Sequence, residues 1–309
     1  MKYARSIAVG SIMALGVHLN LLAASSILFV GNSFTHYNNG IDFHFNQMAA
    51  ATQLTNELHA SRRTMGGQDF KYHYTSAESR DSIVNSIADF VIVQSHSYET
   101  IGDIDEFFTY GRLLHKLITD TAHKEMVLFM TWAYKDNINM IDTVAAAYDS
   151  LARELQVPVV SVGRAFDTVR REWPQMELFT DNKHPGHGAT YLITCMFFGY
   201  FINMSPEGIT YHYTLDPNLA LYLQRTAAKT LQRFPPDSMG HYKAATASVT
   251  QRTGDESVKI VNAPVRPILN HRNLTAQLRG EHYSLTGRSV DFLHAANIMV
   301  RPTKINVSQ

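Results

Sequence analysis

The sequence has little cysteine and no excess of charge of either sign. Its 309 residues include one cysteine, so no disulfide can form between two of them. That residue, Cys195, lies in the apolar stretch YLITCMFFGYFI, where a buried, unreactive thiol is expected. Lys and Arg together number 27, as do Asp and Glu. A global field that recruits nucleic acid or anionic lipid is therefore not expected.

The first 25 residues have the pattern of a secretory signal. Lys2 and Arg5 precede an apolar stretch, and small residues at 23–25 offer a cleavage site. An uncleaved membrane anchor is the alternative, but a histidine and an asparagine interrupt the apolar stretch and favour cleavage. We therefore expect a secreted, periplasmic or cell-surface protein with no membrane association after cleavage.

Four short runs of apolar residues predict strands. Each run is nearly continuous in apolar side chains, as in strands buried on both faces of a parallel sheet. The runs are 27–30, 90–94, 126–131 and 157–162. Apolar residues at helical spacing occur in 41–60, 104–124, 139–156, 188–203 and 217–234. This alternation predicts an α/β fold, a doubly wound parallel sheet flanked by helices.

Polar clusters follow the predicted strand ends, where the sites of such sheets form. Ser33 follows the first run in the segment VGNS, and the later segment DNKHPGHG carries Asp181 and His184. A histidine can take the proton of a serine, and an aspartate can hold the imidazole in the required tautomer and stabilise the imidazolium. The pattern predicts a hydrolase in which Ser33 is the nucleophile, His184 the general base and Asp181 its orienting partner.

These segments resemble the motifs of the SGNH, or GDSL-like, hydrolases. In that family the nucleophile follows the first strand in a Gly-Asp/Asn-Ser block, and the last block is Asp-x-x-His. FVGNS and DNKHP match these blocks in the same order, and the resemblance covers residues 27–234. It implies a three-layer, flavodoxin-like fold and a serine carboxylic ester hydrolase that forms an acyl-enzyme. It implies no cofactor.

The family also has an oxyanion hole with three donors. They are the N–H of the nucleophile, a glycine N–H from the second block and an asparagine side chain from the third block. Ser33 matches the first donor, and the segment TMGGQDF offers Gly67, with Gly66 as the alternate. The third block, VIVQSHSY, lacks the asparagine, and Gln94 carries the same carboxamide at the strand end. The expectation is that Gln94 replaces it; a glutamine bonded to the backbone is the alternative.

Other polar and aromatic residues have two readings. His184 and His187 have a spacing seen in some metal sites, but no further ligands with matching spacing follow, so no metal is expected. Trp132 and Tyr134 follow a predicted strand and either stack on a sugar ring or pack in the protein. Four further histidines either line the cleft or lie on the surface; they are His36, His44, His73 and His96.

The amino-acid composition of the chain changes after Phe234. A hydrolase domain is predicted over 26–234, a polar linker over 235–265 and a small β-like appendage over 266–309. The last region resembles C-terminal secretion or sorting modules of some Gram-negative bacteria, which implies secretion machinery as a partner. A small β appendage packed on the hydrolase is the alternative.

The resemblance and the signal pattern together favour a secreted esterase. The expected substrates are acyl esters, foremost acetyl esters, on a small molecule or a polysaccharide. Three alternatives stay open: a non-catalytic glycan-binding protein that retains the fold, a lipid or thioester hydrolase, and a metal-dependent hydrolase that uses the histidines.

Overall fold

The computed structural model describes residues 25–236. The predicted signal peptide, linker and C-terminal appendage (1–25, 235–265 and 266–309) lie almost entirely outside this range. The predicted hydrolase domain lies within it.

Five parallel strands form one sheet. They are β1 Ser25–Gly31, β2 Leu58–Thr64, β3 Phe90–Val93, β4 Glu125–Phe129 and β5 Val159–Val160. Their order across the sheet is β2-β1-β3-β4-β5, and every neighbouring pair is parallel. This is the flavodoxin-like order, whose direction of winding reverses between β1 and β3. The predicted doubly wound α/β fold is confirmed.

Helices within residues 25–236 cover both faces of the sheet. They are α1 Ser33–His36, α2 Ile41–Ala51, α3 Phe70–Thr75, α4 Ala77–Asn85, α5 Glu99–Gly102, α6 Ile104–Lys116, α7 Met140–Leu155, α8 Val162–Glu172, α9 His187–Ile202 and α10 Pro217–Arg233. A π-helical turn, Leu117–Thr121, continues α6. Among these residues, no helix combines the length and the hydropathy needed to cross a membrane.

Successive residues of β1 face opposite helical layers. Ile27 and Phe29 belong to the core formed with α2, α8, α9 and α10. Leu28 and Val30 belong to the core formed with α3, α4, α6 and α7. Because both faces of the strand are buried, its sequence is continuously apolar. The site described below lies at the carboxyl end of this central strand.

The structure differs from the predicted elements at β2 and β5. The stretch 41–60, predicted as helical throughout, is helical only to Ala51 and then leads into β2. This strand lies at the sheet edge and buries only Leu58 and Ala60, so its apolar pattern is weak. The run 157–162 contributes only two residues to the sheet. Pro158 has no N–H to donate to a strand ladder, and α8 already begins at Val162.

Candidate active site

The nucleophile turn begins where β1 ends. Asn32 caps the short helix α1, its side-chain Oδ1 accepting a hydrogen bond from the N–H of Phe34 at 3.0 Å. Ser33 is thereby the first residue of the helix. A Cβ atom built on Gly31 would lie 2.4 Å from Oε1 of Gln94. The strand therefore ends on glycine because the glutamine side chain occupies the space that a larger residue would need.

Asp181 and His184 lie in a tight loop before α9. Phe179 and Pro185 form an antiparallel bridge, and the N–H of Thr180 donates to the carbonyl of His184 at 3.0 Å. Oδ1 of Asp181 accepts hydrogen bonds from the N–H groups of Lys183 and His184 at 2.8 and 2.7 Å. The loop thus holds the carboxylate beside the histidine ring.

Ser33, His184 and Asp181 form one hydrogen-bonded chain. Oγ of Ser33 lies 2.9 Å from Nε2 of His184, and Nδ1 of His184 lies 2.6 Å from Oδ2 of Asp181. The pKa of Asp181 lies well below its usual value because its carboxylate accepts hydrogen bonds from the His184 ring and from two backbone N–H groups. An ionised aspartate accepts a hydrogen bond from Nδ1–H, which leaves Nε2 unprotonated and able to accept the serine proton.

The loop after β4 anchors the Asp181–His184 loop. Nε1 of Trp132 donates to the carbonyl of Lys183 at 2.9 Å, and the N–H of Lys135 donates to the carbonyl of Asn182 at 2.8 Å. Trp132 is itself fixed by stacking on Phe166, with ring centroids 4.3 Å apart. The position of the general base therefore depends on the core as well as on its own loop.

A second contact joins the two loops directly. Nδ2 of Asn38, five residues after the serine, donates to the carbonyl of Pro185 at 2.9 Å and lies 2.8 Å from the hydroxyl of Thr190. Tyr37 lies against the ring of His184. Asn38 and Tyr37 thus join the segment that carries Ser33 to the loop that carries His184.

An open pocket of about 370 Å³ lies over the serine. Its lining includes Ser33, Gly67, His96, Tyr98, Tyr134 and Lys183. Tyr98 is exposed, and Tyr134 is half-buried. The pocket therefore combines the hydroxyl of Ser33, several N–H donors and the rings of Phe34, Tyr98 and Tyr134.

Two backbone N–H groups at the pocket are available to a ligand. Among the described residues, neither the N–H of Ser33 nor that of Gly67 has a hydrogen-bond acceptor. Gly67 has a φ of +72°, and a Cβ built on it would contact nothing within 4 Å. Of the two glycines offered by the sequence, Gly67 lines the pocket. Its left-handed backbone conformation explains the residue type.

Gln94 is bonded within the protein and is not among the described residues that line the pocket. The residue is 1% exposed, and its Oε1 accepts hydrogen bonds from the N–H of Asn32 and the hydroxyl of Thr35, both at 3.0 Å. Its Nε2 donates to the carbonyl of Ser95. The expectation that Gln94 replaces the third-block asparagine stays a prediction. These contacts agree with the alternative, a glutamine bonded to the backbone.

The other residues singled out in the sequence divide between core, pocket and surface. Trp132 is fully buried and packs in the core, whereas Tyr134 reaches the pocket. His187, the first residue of α9, contacts the ring of Tyr213. Within residues 25–236, no three or more His, Cys, Asp or Glu side chains are grouped as a metal ion would require.

The four remaining histidines also have distinct places. His44 and His73 are buried and bonded on both ring nitrogens, His44 to Tyr211 and Asn38, and His73 to Ser79 and the carbonyl of Gly31. Burial lowers the pKa of His73 to about 4. His36 lies near Thr64, and His96 lines the pocket.

Sequence reasoning left His96 between the cleft and the surface, and it missed the contacts of Tyr37 and Lys183 at the site. His96 belongs to the segment VIVQSHSY at the carboxyl end of β3, beside the strand that carries the nucleophile. The strand order would have singled it out, but only the structure provides that order.

Comparisons with known proteins concern the fold. No family model and no curated protein matches the sequence. A DUF4886 family protein from Bacteroides uniformis superposes with a TM-score of 0.59 at 15% identity, covering 69% of this chain and 96% of that protein. The doubly wound sheet and this superposition agree with the fold that the motifs implied. The chain shares the fold of this DUF4886 family protein.

Two further solved structures with an SGNH-type or esterase description are similar at lower scores. A proposed SGNH hydrolase from Slackia heliotrinireducens gives a TM-score of 0.48 at 21% identity and covers 57% of this chain and 97% of that one. An acetylxylan esterase from Geobacillus stearothermophilus gives 0.44 at 15% identity and covers 55% and 90%. The activity of this chain is therefore inferred from its own site.

Proposed function

We propose that this chain is a secreted serine esterase that hydrolyses acyl esters, foremost acetyl esters on carbohydrate. The observation that carries the proposal is the hydrogen-bonded chain from Ser33 through His184 to Asp181, at 2.9 and 2.6 Å. A serine hydroxyl is a weak nucleophile by itself, and an adjacent base oriented by a carboxylate activates it. The chain of bonds supplies both groups.

The reaction proceeds through an acyl-enzyme. Oγ of Ser33 attacks the ester carbonyl while Nε2 of His184 takes the hydroxyl proton, and Asp181 stabilises the imidazolium. The tetrahedral intermediate carries its negative charge on the former carbonyl oxygen, within reach of the N–H groups of Ser33 and Gly67. His184 then protonates the leaving alcohol. A water molecule, activated by the same base, hydrolyses the acyl-enzyme.

The volume and the lining of the pocket suit an ester with a small acyl group and a sugar-like alcohol. Its volume of about 370 Å³ is near the lower end of the range of ligand pockets. Tyr98 and Tyr134 each offer an apolar ring face and a polar hydroxyl group. These suit a sugar, whose surface has both apolar C–H faces and polar hydroxyl groups. The signal-like pattern of residues 1–25 supports an extracellular substrate. Neither a cofactor nor a nucleic acid enters the proposal.

The test is ester turnover by the purified chain and three variants. We expect turnover of p-nitrophenyl acetate and of acetylated xylan fragments, falling as the acyl chain of the p-nitrophenyl ester is lengthened. Ser33→Ala should lower kcat/KM by about 10⁴-fold or more, and Asp181→Asn by about 10²–10⁴-fold. His184→Gln should resemble Ser33→Ala. Unchanged melting temperatures should accompany these losses.

Other outcomes distinguish the alternatives. Turnover that survives in Ser33→Ala would overturn the serine mechanism, and loss of wild-type turnover on adding a chelator would favour a metal-dependent hydrolase. A preference for long acyl chains or for thioesters would favour a lipid or thioester hydrolase. Glycan binding without Ser33-dependent turnover would favour a non-catalytic binding protein.

A further inference from the structure

The strand register places His96 beside the nucleophile. Val30 of β1 is paired with Val93 of β3. Ser33 and His96 each follow their member of this pair by three residues. Gly67 follows the end of β2, on the other side of β1, also by three residues. Because the carboxyl ends of parallel strands meet at one edge of the sheet, the nucleophile has Gly67 on one side and His96 on the other.

The backbone of α5 fixes the tautomer of His96. The N–H of Glu99 donates to Nδ1 of His96 at 3.1 Å and is shared with the carbonyl of His96 at 3.2 Å. A backbone N–H can only donate, so Nδ1 carries no proton and the neutral ring has its proton on Nε2. Burial lowers the pKa of His96, which favours the neutral ring.

The Nε2–H of His96 has no acceptor among residues 25–236. The residue lines the pocket together with Ser33 and Gly67. Nδ1 is bonded to the first turn of α5, which leaves Nε2 as the ring nitrogen available to the pocket. This donor is partly buried and its ring is held in place, which are the conditions under which a hydrogen-bond donor stabilises a developing charge best.

We propose that His96 is a catalytic residue whose Nε2–H donates a hydrogen bond to the oxyanion, alongside the N–H groups of Ser33 and Gly67. The proposal rests on the proposed esterase function. No bond to His96 forms or breaks, and its proton stays on Nε2 throughout. The hydrogen bond strengthens as negative charge develops on the carbonyl oxygen, so it stabilises the transition state more than the bound ester.

Lys183 also carries a side-chain N–H donor at the pocket, and it is a poorer candidate. Its carbonyl is anchored by Trp132, but its side chain is exposed. Among the described residues, no hydrogen bond or ion pair holds its ammonium group. A mobile ammonium loses conformational entropy when it is fixed on the oxyanion, whereas the ring of His96 is already fixed.

The experiment compares two substitutions of His96 with a matched control. His96→Phe retains a ring and removes the donor, whereas His96→Gln retains an N–H donor at similar reach. The control is His59→Phe, the same change at an exposed position of β2 near the other end of the sheet. The readouts are kcat and KM for p-nitrophenyl acetate, the melting temperature, and the turnover of Ser33→Ala.

We expect His96→Phe to lower kcat by about 10²-fold or more, with KM changed by less than about threefold. His96→Gln should recover most of the loss, and His59→Phe should match the wild type. An undiminished kcat in a folded His96→Phe protein would overturn this inference alone, because wild-type turnover would still depend on Ser33. Absence of Ser33-dependent turnover in the wild type would overturn the proposed function instead.

A measurement on the wild-type protein keeps the inference testable if His96→Phe does not fold. The ¹⁵N NMR spectrum of protein labelled at its histidine rings reports the tautomer of each neutral imidazole. We expect His96 to carry its proton on Nε2, and we expect that proton to shift downfield when phenylboronic acid forms a tetrahedral adduct with Ser33. A proton on Nδ1, or an Nε2–H signal unmoved by the adduct, would overturn the inference.

Discussion

The phenol ring of Tyr37 lies parallel to the imidazole of His184, with an interplanar angle of 6° and centroids 4.4 Å apart. Phe34 meets the same imidazole edge-on, at 5.9 Å. His184 is therefore held by two aromatic rings from the segment that carries Ser33. In the proposed mechanism, Tyr37 presents its ring face to the imidazolium that forms when Ser33 loses its proton.

Removing the stacked ring should weaken catalysis more than folding. A cation over an aromatic face is stabilised by about 0.5–2 kcal/mol, so Tyr37→Leu should lower kcat by about 2–30-fold. Tyr37→Phe, which keeps the ring, should lie within about twofold of the wild type. The measurement is kcat for p-nitrophenyl acetate with the melting temperature on the same samples. Equal losses in both variants would show that the hydroxyl rather than the ring face matters.

Gln94 should prove structural. Gln94→Ala removes the acceptor for the N–H of Asn32 and the hydroxyl of Thr35 inside the protein. We expect the free energy of unfolding to fall by about 2–4 kcal/mol, because a buried donor without a partner is costly. Gln232→Ala, at an exposed position of α10, is the matched control. A stable Gln94→Ala protein with kcat reduced about 10²-fold would contradict this and restore the oxyanion role.

Trp132 should act on the general base through its indole N–H. Trp132→Phe retains an aromatic ring against Phe166 but removes the donor to the carbonyl of Lys183. Small displacements of a catalytic group have large effects on rate, and we expect kcat to fall by about 3–30-fold. Trp173→Phe, at a partly exposed tryptophan, is the control. The rate at which a fluorophosphonate labels Ser33 should fall in parallel; an unchanged labelling rate would argue against positioning.

Glu99 should make stability depend on alkaline pH. Burial, chiefly, raises the pKa of this carboxyl from 4.5 to about 8, and the acidic neighbours Asp69, Glu106 and Asp103 add to the shift. The unfolded chain releases the proton near pH 4.5, while the folded protein keeps it to about pH 8. The free energy of unfolding therefore falls as the pH rises through this window.

The variant that tests this is Glu99→Gln, which leaves the backbone N–H to His96 in place. It should match the wild type near pH 4.5 and be more stable at pH 8.5, by about 2–4 kcal/mol. Urea unfolding of both proteins at the two pH values measures the difference. A difference in stability that does not change with pH would rule out a buried, protonated carboxyl.

The grouping of Ser33, Asp181 and His184 could be predicted from the sequence because each part lies in a short contiguous segment. Ser33 follows an apolar run that only a buried strand explains, and Asp181 and His184 are three residues apart in one loop. The hydrogen-bonded chain joins residues 151 positions apart. The chemistry of the three side chains predicted that they act together, and the structure gave the distances between them.

Neither the edge strand β2 nor the contacts of Gln94 could be predicted from the sequence, for physical reasons. Strand β2 pairs on one side only and exposes Arg62, so neither its hydropathy nor its charge pattern distinguishes it from a loop. The partners of Gln94 in the serine turn lie about 60 residues earlier in the chain. Residue type alone does not tell a carboxamide that supports a turn from one that faces a substrate.

The separation of Ser33 and His184 along the chain has a consequence for folding. The first lies just after the first strand of the described chain and the second just before α9, so the sheet must be assembled before their atoms meet. Contacts between such distant residues form late, since loop closure precedes them. During refolding, recovery of ester turnover should therefore lag behind the recovery of helical circular dichroism. The recovery of ester turnover therefore reports when the last step of assembly is complete.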